Sequence, residues 1–183
     1  RNDDREQEFL RGAFQYFVER DRKHIALLAW ESTTDGSYFF SKSFMKLAGE
    51  YGVRVDTHLM DINASGWERG MGWERFRDMW RANEVKPDGL IIGDDGLFDD
   101  CQRAILELGI SVPGEMDVIV QSSDAVALSP QFPIYLWKLL TKGQGEIYAR
   151  EMQALLEGRP APAFVSWPHV VDLSEFSAME EPS

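Results

Sequence analysis

The sequence predicts an α/β protein built on a doubly wound parallel sheet. Three observations carry this. Short apolar runs of strand length alternate with amphipathic segments of helical period through residues 1–121. The segments between the runs are about a dozen residues or more, as a crossover joining parallel neighbours requires. Each run also ends in a stretch rich in acids, hydroxyls or glycine: WESTTD, DINASGW, GDDG and QSSD. Ligands of such sheets bind outside the carboxyl ends of the strands, so these four stretches are where a site is sought.

Residues 5–20 place Phe9, Leu10, Ala13, Phe14, Phe17 and Val18 at helical spacing. HIALLAW, 24–30, is a wholly apolar run of buried-strand type. Residues 37–51 return to the helical period with Phe40, Phe44, Leu47 and Ala48, and Gly52 is a natural stop. VRVDTHLMDI, 53–62, alternates like a strand; 70–82 is helical on Trp73, Phe76, Met79 and Trp80. GLIIG, 89–93, is a strand, and 97–108 a helix on Leu97, Cys101, Ala104, Ile105 and Leu108, ended by Gly109. MDVIVQ, 116–121, is the fourth strand. After it the rhythm changes. The stretch from Ser122 to Gly143 reads as a long connection with two prolines, followed by a helix over 145–157 on Ile147, Ala149, Met152, Leu155 and Leu156. AFVSW and HVVDL read as short closing strands, and the acidic end, 175–183, as a frayed tail.

Composition narrows the function. The 183 residues carry a formal net charge of −12, which argues against direct phosphate contact with DNA. No run approaches the ~20 apolar residues that span a bilayer, so no membrane partner is expected. The chain begins RNDDREQE, neither Met nor a signal peptide, and reads as a fragment. Cys101 is the single cysteine, expected as a buried helical thiol, and His24, His58 and His169 have no metal-ligand spacing. No cofactor is expected. P-loop, GxGxxG and nucleophile-elbow motifs are all missing from the sequence. Ser122 and Ser123 follow a strand without a nearby histidine.

The run IIGDDGLFDD, 91–100, concentrates four acids at a strand end. Capping of the following helix is the common role of such residues. Adjacent strand-end residues point in different directions, so one of Asp94 and Asp95 can instead face a ligand. A divalent metal would need a third hard ligand, from Glu31, Asp35, Asp61 or Asp124. Trp67, in the loop NASGWERG, is either a cover for the core or a stacking platform for a flat or sugar-like ligand. Trp30, directly after a strand, is open to either role.

The block KPDGLIIGDDGLFDDCQRAILELGISVPGEMDVIV, 86–120, resembles the effector-binding domain of the LacI/GalR family of transcriptional regulators. The resemblance rests on Pro87-Asp88 before the strand, Asp94-Asp95 after it, Glu107-Leu108-Gly109 closing the helix and Val112-Pro113 in the turn. RDRKHIALLAW upstream, and Gly145 with LLEGRPAP downstream, extend it over roughly 5–170. It implies a periplasmic-binding-protein-like domain of two α/β lobes with an effector in the cleft. Residues 1–138 would be the C-terminal lobe, 139–163 the return to the N-terminal lobe and 164–174 the closing strands. It further implies a cytoplasmic, non-enzymatic homodimer that reaches DNA through a headpiece lying outside this chain.

By position, the resemblance assigns Trp67 to stacking on the effector, Asp94 to the place of an effector-binding Asn and Ser122 to that of an effector-binding Asp. Phe40 stands where an Arg is usual, and Asp35 joins the set from the first strand end. The combination suits a neutral sugar-like polyol better than an anion. Leu97, Phe98, Cys101 and Ile105, with Val126, Leu128 and Phe132, fall where the family dimerises; the alternative is that several of them are simply core. The helix 145–157 would then have an apolar face with little in this chain to cover it. The alternatives are a periplasmic sugar-binding protein of a transport system and, more distantly, a metal-dependent enzyme using the acids around Asp94 and Asp95. If Trp67 is the stacking platform, Trp67→Ala weakens effector binding by roughly 1–3 kcal/mol with the fold intact. Unchanged affinity by calorimetry would remove it from the site.

Overall fold

The computed structural model describes residues 3–31, 39–57, 60–61, 70–141, 144–159, 169–170 and 175–176. In chain order the elements are α1 (Asp3–Glu19), β1 (His24–Leu28), β2 (Trp30–Glu31), α2 (Phe39–Tyr51), β3 (Arg54–Thr57) and β4 (Met60–Asp61). They continue with α3 (Met71–Ala82), β5 (Gly89–Ile92), a single 3₁₀ turn (Asp95–Leu97), α4 (Phe98–Glu107), β6 (Asp117–Ser123) and β7 (Ile134–Leu139). The last three are α5 (Gln144–Leu156), β8 (His169–Val170) and β9 (Glu175–Phe176). The main sheet runs β3-β1-β5-β6-β7, all parallel, and β8 and β9 pair antiparallel with β7. β2 and β4 form a separate parallel pair, Trp30 opposite Met60.

Both faces of the sheet are sealed, which is why its strands read as continuous apolar runs. On one face the helices α1 and α2 pack Phe9, Phe14, Phe17 and Phe44 over Ile25, Leu27, Ile91 and Ile119. On the other, α3 and α4 pack Phe76, Met79, Phe98 and Ile105 over Ala26, Leu28, Leu90 and Val118. The alternation along each strand therefore divides two cores rather than core from solvent.

At the amino ends of the strands the packing is tight. A Cβ on Gly89 would lie 2.7 Å from Ile25 Cδ1 and 2.9 Å from the Phe17 ring, so β5 needs glycine to sit beneath α1. Asp88, one residue earlier, accepts the backbone N–H groups of Lys23 (3.0 Å) and His24 (2.8 Å), fixing the entry to β1. Asp117 is fully buried at the start of β6 and accepts from Arg20 Nε at 3.2 Å and Arg22 Nε at 2.8 Å.

Four expectations need correction. The stretch read as one long connection contains a strand, β7. Its Ile134 and Leu136 enter one core while Tyr135 and Trp137 enter the other. A strand with bulky residues on both faces lacks the period of two, and the prolines before it suggested a loop. The proposed tail holds β9, whose Glu175 and Phe176 pair with Tyr135 and Ile134. The alternating run 53–62 is two strands, β3 and β4, in different sheets. Val18, placed on the apolar face of α1, is 41% exposed. AFVSW lies outside the described residues. As expected, α5 presents apolar side chains without cover: Met152, Leu155 and Leu156 are all exposed.

Gly89→Ala is expected to destabilise the fold by about 1–3 kcal/mol through overpacking against the rigid Phe17 ring. Urea unfolding checks this; an unchanged midpoint would mean that α1 shifts freely over β5.

Candidate functional site

Taken in chain order, the five parallel strands are arranged second-first-third-fourth-fifth. The winding direction therefore reverses between β1 and β5. Helices leave to opposite faces at that point, and a crevice opens at the carboxyl ends of these two strands. A cavity of about 400 Å³ lies there, lined by Trp30, Phe40, Gly93, Asp94, Asp95, Gln121, Ser122, Ser123 and Leu139. A larger hollow, about 690 Å³, lies around Asp99, Asp100 and the loop Val126–Ser129, sharing only Asp95 with the crevice. The strand-order reversal favours the first as the ligand site.

Each lining group is placed by its element. Gly93 ends β5 so close to its neighbours that a Cβ would meet Ala29 Cβ at 2.7 Å and the Phe40 ring at 3.3 Å. Its N–H donates to Leu28 O at 2.8 Å, joining the ends of β5 and β1. Asp94 caps the 3₁₀ turn, accepting from Gly96 N–H at 2.8 Å, and the Trp30 indole also hydrogen-bonds its carboxylate. Asp95 turns toward β6, where its Oδ2 accepts from Ser123 N–H at 2.9 Å and the Ser122 hydroxyl at 3.3 Å. Asp100 bridges to the start of α3 by accepting the N–H groups of Gly70 (2.9 Å) and Gly72 (3.2 Å).

Burial pushes the Asp94 carboxyl above its ordinary value. The Gly96 hydrogen bond opposes the shift, the nearby Asp95 charge adds to it, and the Trp30 bond lowers it a little. Burial likewise pushes the Cys101 thiol well up, so this fully buried group is inert core, as the sequence suggested.

The structure brings together Phe40, Asp94 and Ser122 of the sequence-assigned site. Trp67 and Asp35 lie outside the described residues. The cluster in IIGDDGLFDD divides its work differently from the expectation: Asp94 both caps and lines the cavity, while Asp95 and Asp100 bond to β6 and α3 rather than to their own helix start. Among the described residues, no group of three or more His, Cys, Asp or Glu side chains could hold a metal. Trp30, left open by the sequence, lines the cavity. Gln121 and Asp95 were not singled out as ligand contacts; a lone amide closing the apolar run of β6 was the available signal.

The expected dimer surface needs correction. Leu97, Phe98, Cys101, Ile105 and Phe132 are buried inside this chain, packed around α4 and β6. Of the seven, Val126 is exposed and Leu128 half-buried. The resemblance marked these positions as an interface, and in this chain the apolar face of α4 is turned to the sheet.

A doubly wound sheet with a polar, aromatic-walled crevice at its reversal point defines a small-molecule-binding α/β domain. Residues 14–171 match the periplasmic binding protein-like domain, and the chain belongs to that family. It is similar to the lactose operon repressor of Rhizobium radiobacter, 29% identical over 87 residues, which are 48% of this chain and 77% of that protein. Among solved structures it resembles a LacI family transcriptional regulator from Arthrobacter sp. FB24 in complex with lactose. There the identity is 20% and the TM-score 0.66, over 93% of this chain and 63% of that one. It also resembles the Lac repressor dimer bound to operator and the anti-inducer ONPF. That match has 16% identity and a TM-score of 0.75, over 96% of this chain and 51% of that one. The chain thus spans between one half and two thirds of these solved relatives.

The Asp94 shift makes a pH prediction. A carboxyl whose folded-state value is raised contributes stability that is present at low pH and lost as the pH rises through that value. Asp94→Asn keeps an acceptor for Gly96 N–H and removes this loss. The variant is expected to match the parent near pH 3 and to melt at a higher temperature at pH 7. Thermal unfolding at both pH values checks it; equal or lower melting at pH 7 would mean that the ionised carboxylate is well solvated.

Proposed function

We propose that this chain is the effector-binding part of a LacI-type transcriptional regulator, sensing a sugar-like small molecule without catalysis. The observation that carries the reading is the crevice at the strand-order reversal. Carboxylates, hydroxyls and an amide line it together with Trp30 and Phe40. Carboxylates accept hydroxyl hydrogen bonds, and aromatic rings cover the apolar faces of sugars. The similarity to the lactose operon repressor and to a lactose-bound regulator supports the same class.

In this reading the effector binds one arrangement of the two lobes better than another and so shifts their populations. Coupling to DNA is the difference between those affinities, passed to a headpiece outside this chain. The net charge of −12 agrees with DNA contacts lying elsewhere. The regulator would work in the cytoplasm as a homodimer, in which Val126 and Leu128 remain available for the partner contact. A transport-system sugar-binding protein has the same fold; similarity to repressors favours the regulator.

Thermal-shift and calorimetric screening of the purified chain against mono- and disaccharides, lactose and amino sugars included, tests this. At least one is expected to raise the melting temperature, to lose that effect in Asp94→Ala, and to be recovered unchanged by chromatography. A panel without any shift, or a bound sugar recovered as product, would sink the reading.

A further inference from the structure

The described residues lining the crevice include two carboxylates and not one Lys, Arg or His. Asp94 is held by the N–H of Gly96 and the indole of Trp30, and Asp95 by the N–H of Ser123 and the hydroxyl of Ser122. All four donors are neutral, and neither acid forms an ion pair among the described residues. Lys138 is two residues downstream of Leu136 on β7 and lines the adjacent cavity, with Asp124, rather than this one. Two like charges brought together in a half-buried corner repel each other, an arrangement that favours a bound cation.

A second observation points the same way. Gln121 is only 8% exposed and lines the crevice, yet its side-chain amide makes no hydrogen bond among the described residues. The polar atoms of that amide are open to the crevice rather than sealed in the core, so their hydrogen-bonding capacity is available there. Near the end of β6, it is placed to hydrogen-bond a ligand in the crevice. The rings of Trp30 and Phe40 complete the wall, and aromatic faces attract cations.

We propose that the effector carries a protonated amine, seated between Asp94, Asp95 and the aromatic walls, with Gln121 hydrogen-bonding a neighbouring hydroxyl of the same molecule. An amino sugar has this chemistry. The inference rests on the sugar-sensing reading and sharpens it from polyol to amine-bearing polyol. An ammonium donates three hydrogen bonds, matching the acceptor capacity that the neutral donors leave unused on both carboxylates.

The test uses the whole chain at pH 6.5 with three probes for each of glucose and galactose: the 2-amino sugar, its N-acetylated form and the neutral parent. Calorimetry is expected to give one 2-amino sugar roughly tenfold tighter binding, or more, than its two neutral counterparts. That preference is expected to fall below about threefold in Asp94→Asn combined with Asp95→Asn. Circular dichroism and residual binding of the neutral sugar verify that the double variant is folded. Equal or tighter binding of the neutral sugars would overturn the amine while leaving sugar sensing intact. An amine preference that survives both substitutions would overturn the role of the acids. Binding of none of the six probes would overturn the amino-sugar proposal, and sugar sensing as a whole would fail only if the wider saccharide panel also gave no shift.

Discussion

The reversal of strand order between β1 and β5 is the constraint on which the site depends. Where winding changes direction, the connection leaving one strand departs to the opposite face from its neighbour's, which leaves a gap between their carboxyl ends. Nothing in this requires a particular side chain. The chain exploits the gap through Gly93, whose missing Cβ lets β5 end against Ala29 and Phe40. The Phe40 ring thereby reaches the crevice instead of being displaced by a side chain, and Asp94 and Asp95 follow in the turn that lines the opening.

The same residue type does different work at the two ends of the sheet. Asp117, at the amino end of β6, is fully buried and answered by Arg20 and Arg22. Asp88, at the amino end of β5, is answered by backbone N–H groups of the β1 entry. These acids are compensated, and they hold strands in place. Asp94 and Asp95, at the carboxyl ends, have only neutral donors. An acid without a counter-charge is tolerated at a crevice because water or ligand can complete it, whereas at the buried end it would cost several kcal/mol. The contrast separates the end that holds the strands in place from the end that lines the crevice.

The sheet was legible where a strand and its crossover each kept a clear period. β1, β5 and β6 are short apolar runs bounded by polar turns, and α1 to α4 carry stripes that the packing confirms at Phe14, Phe44, Phe76 and Ile105. β7 was not legible, because Tyr135 and Trp137 serve one core while Ile134 and Leu136 serve the other. The resemblance placed Phe98 and Cys101 at a dimer interface, whereas both are buried in this chain and cover the sheet. At the site, the strand ends marked GDDG and QSSD, and the family resemblance assigned Asp94 and Ser122 within them. Gln121 escaped notice because a polar residue closing a strand reads as the strand's limit, not as part of a cavity wall.

The acids that follow β5 tie the crevice to the rest of the lobe. Asp94 fixes the turn that leads into α4; Asp95 grips the end of β6; Asp100, one helical turn further, grips the start of α3. Three elements from different parts of the sequence therefore meet at a segment of seven residues. A ligand drawing on Asp94 works against a turn already anchored on two sides, so little backbone order remains to be gained on binding, and less free energy is spent on ordering. The same anchoring stiffens this wall. Under the proposed function, movement on effector binding would fall on other parts of the protein rather than on the Asp94 turn.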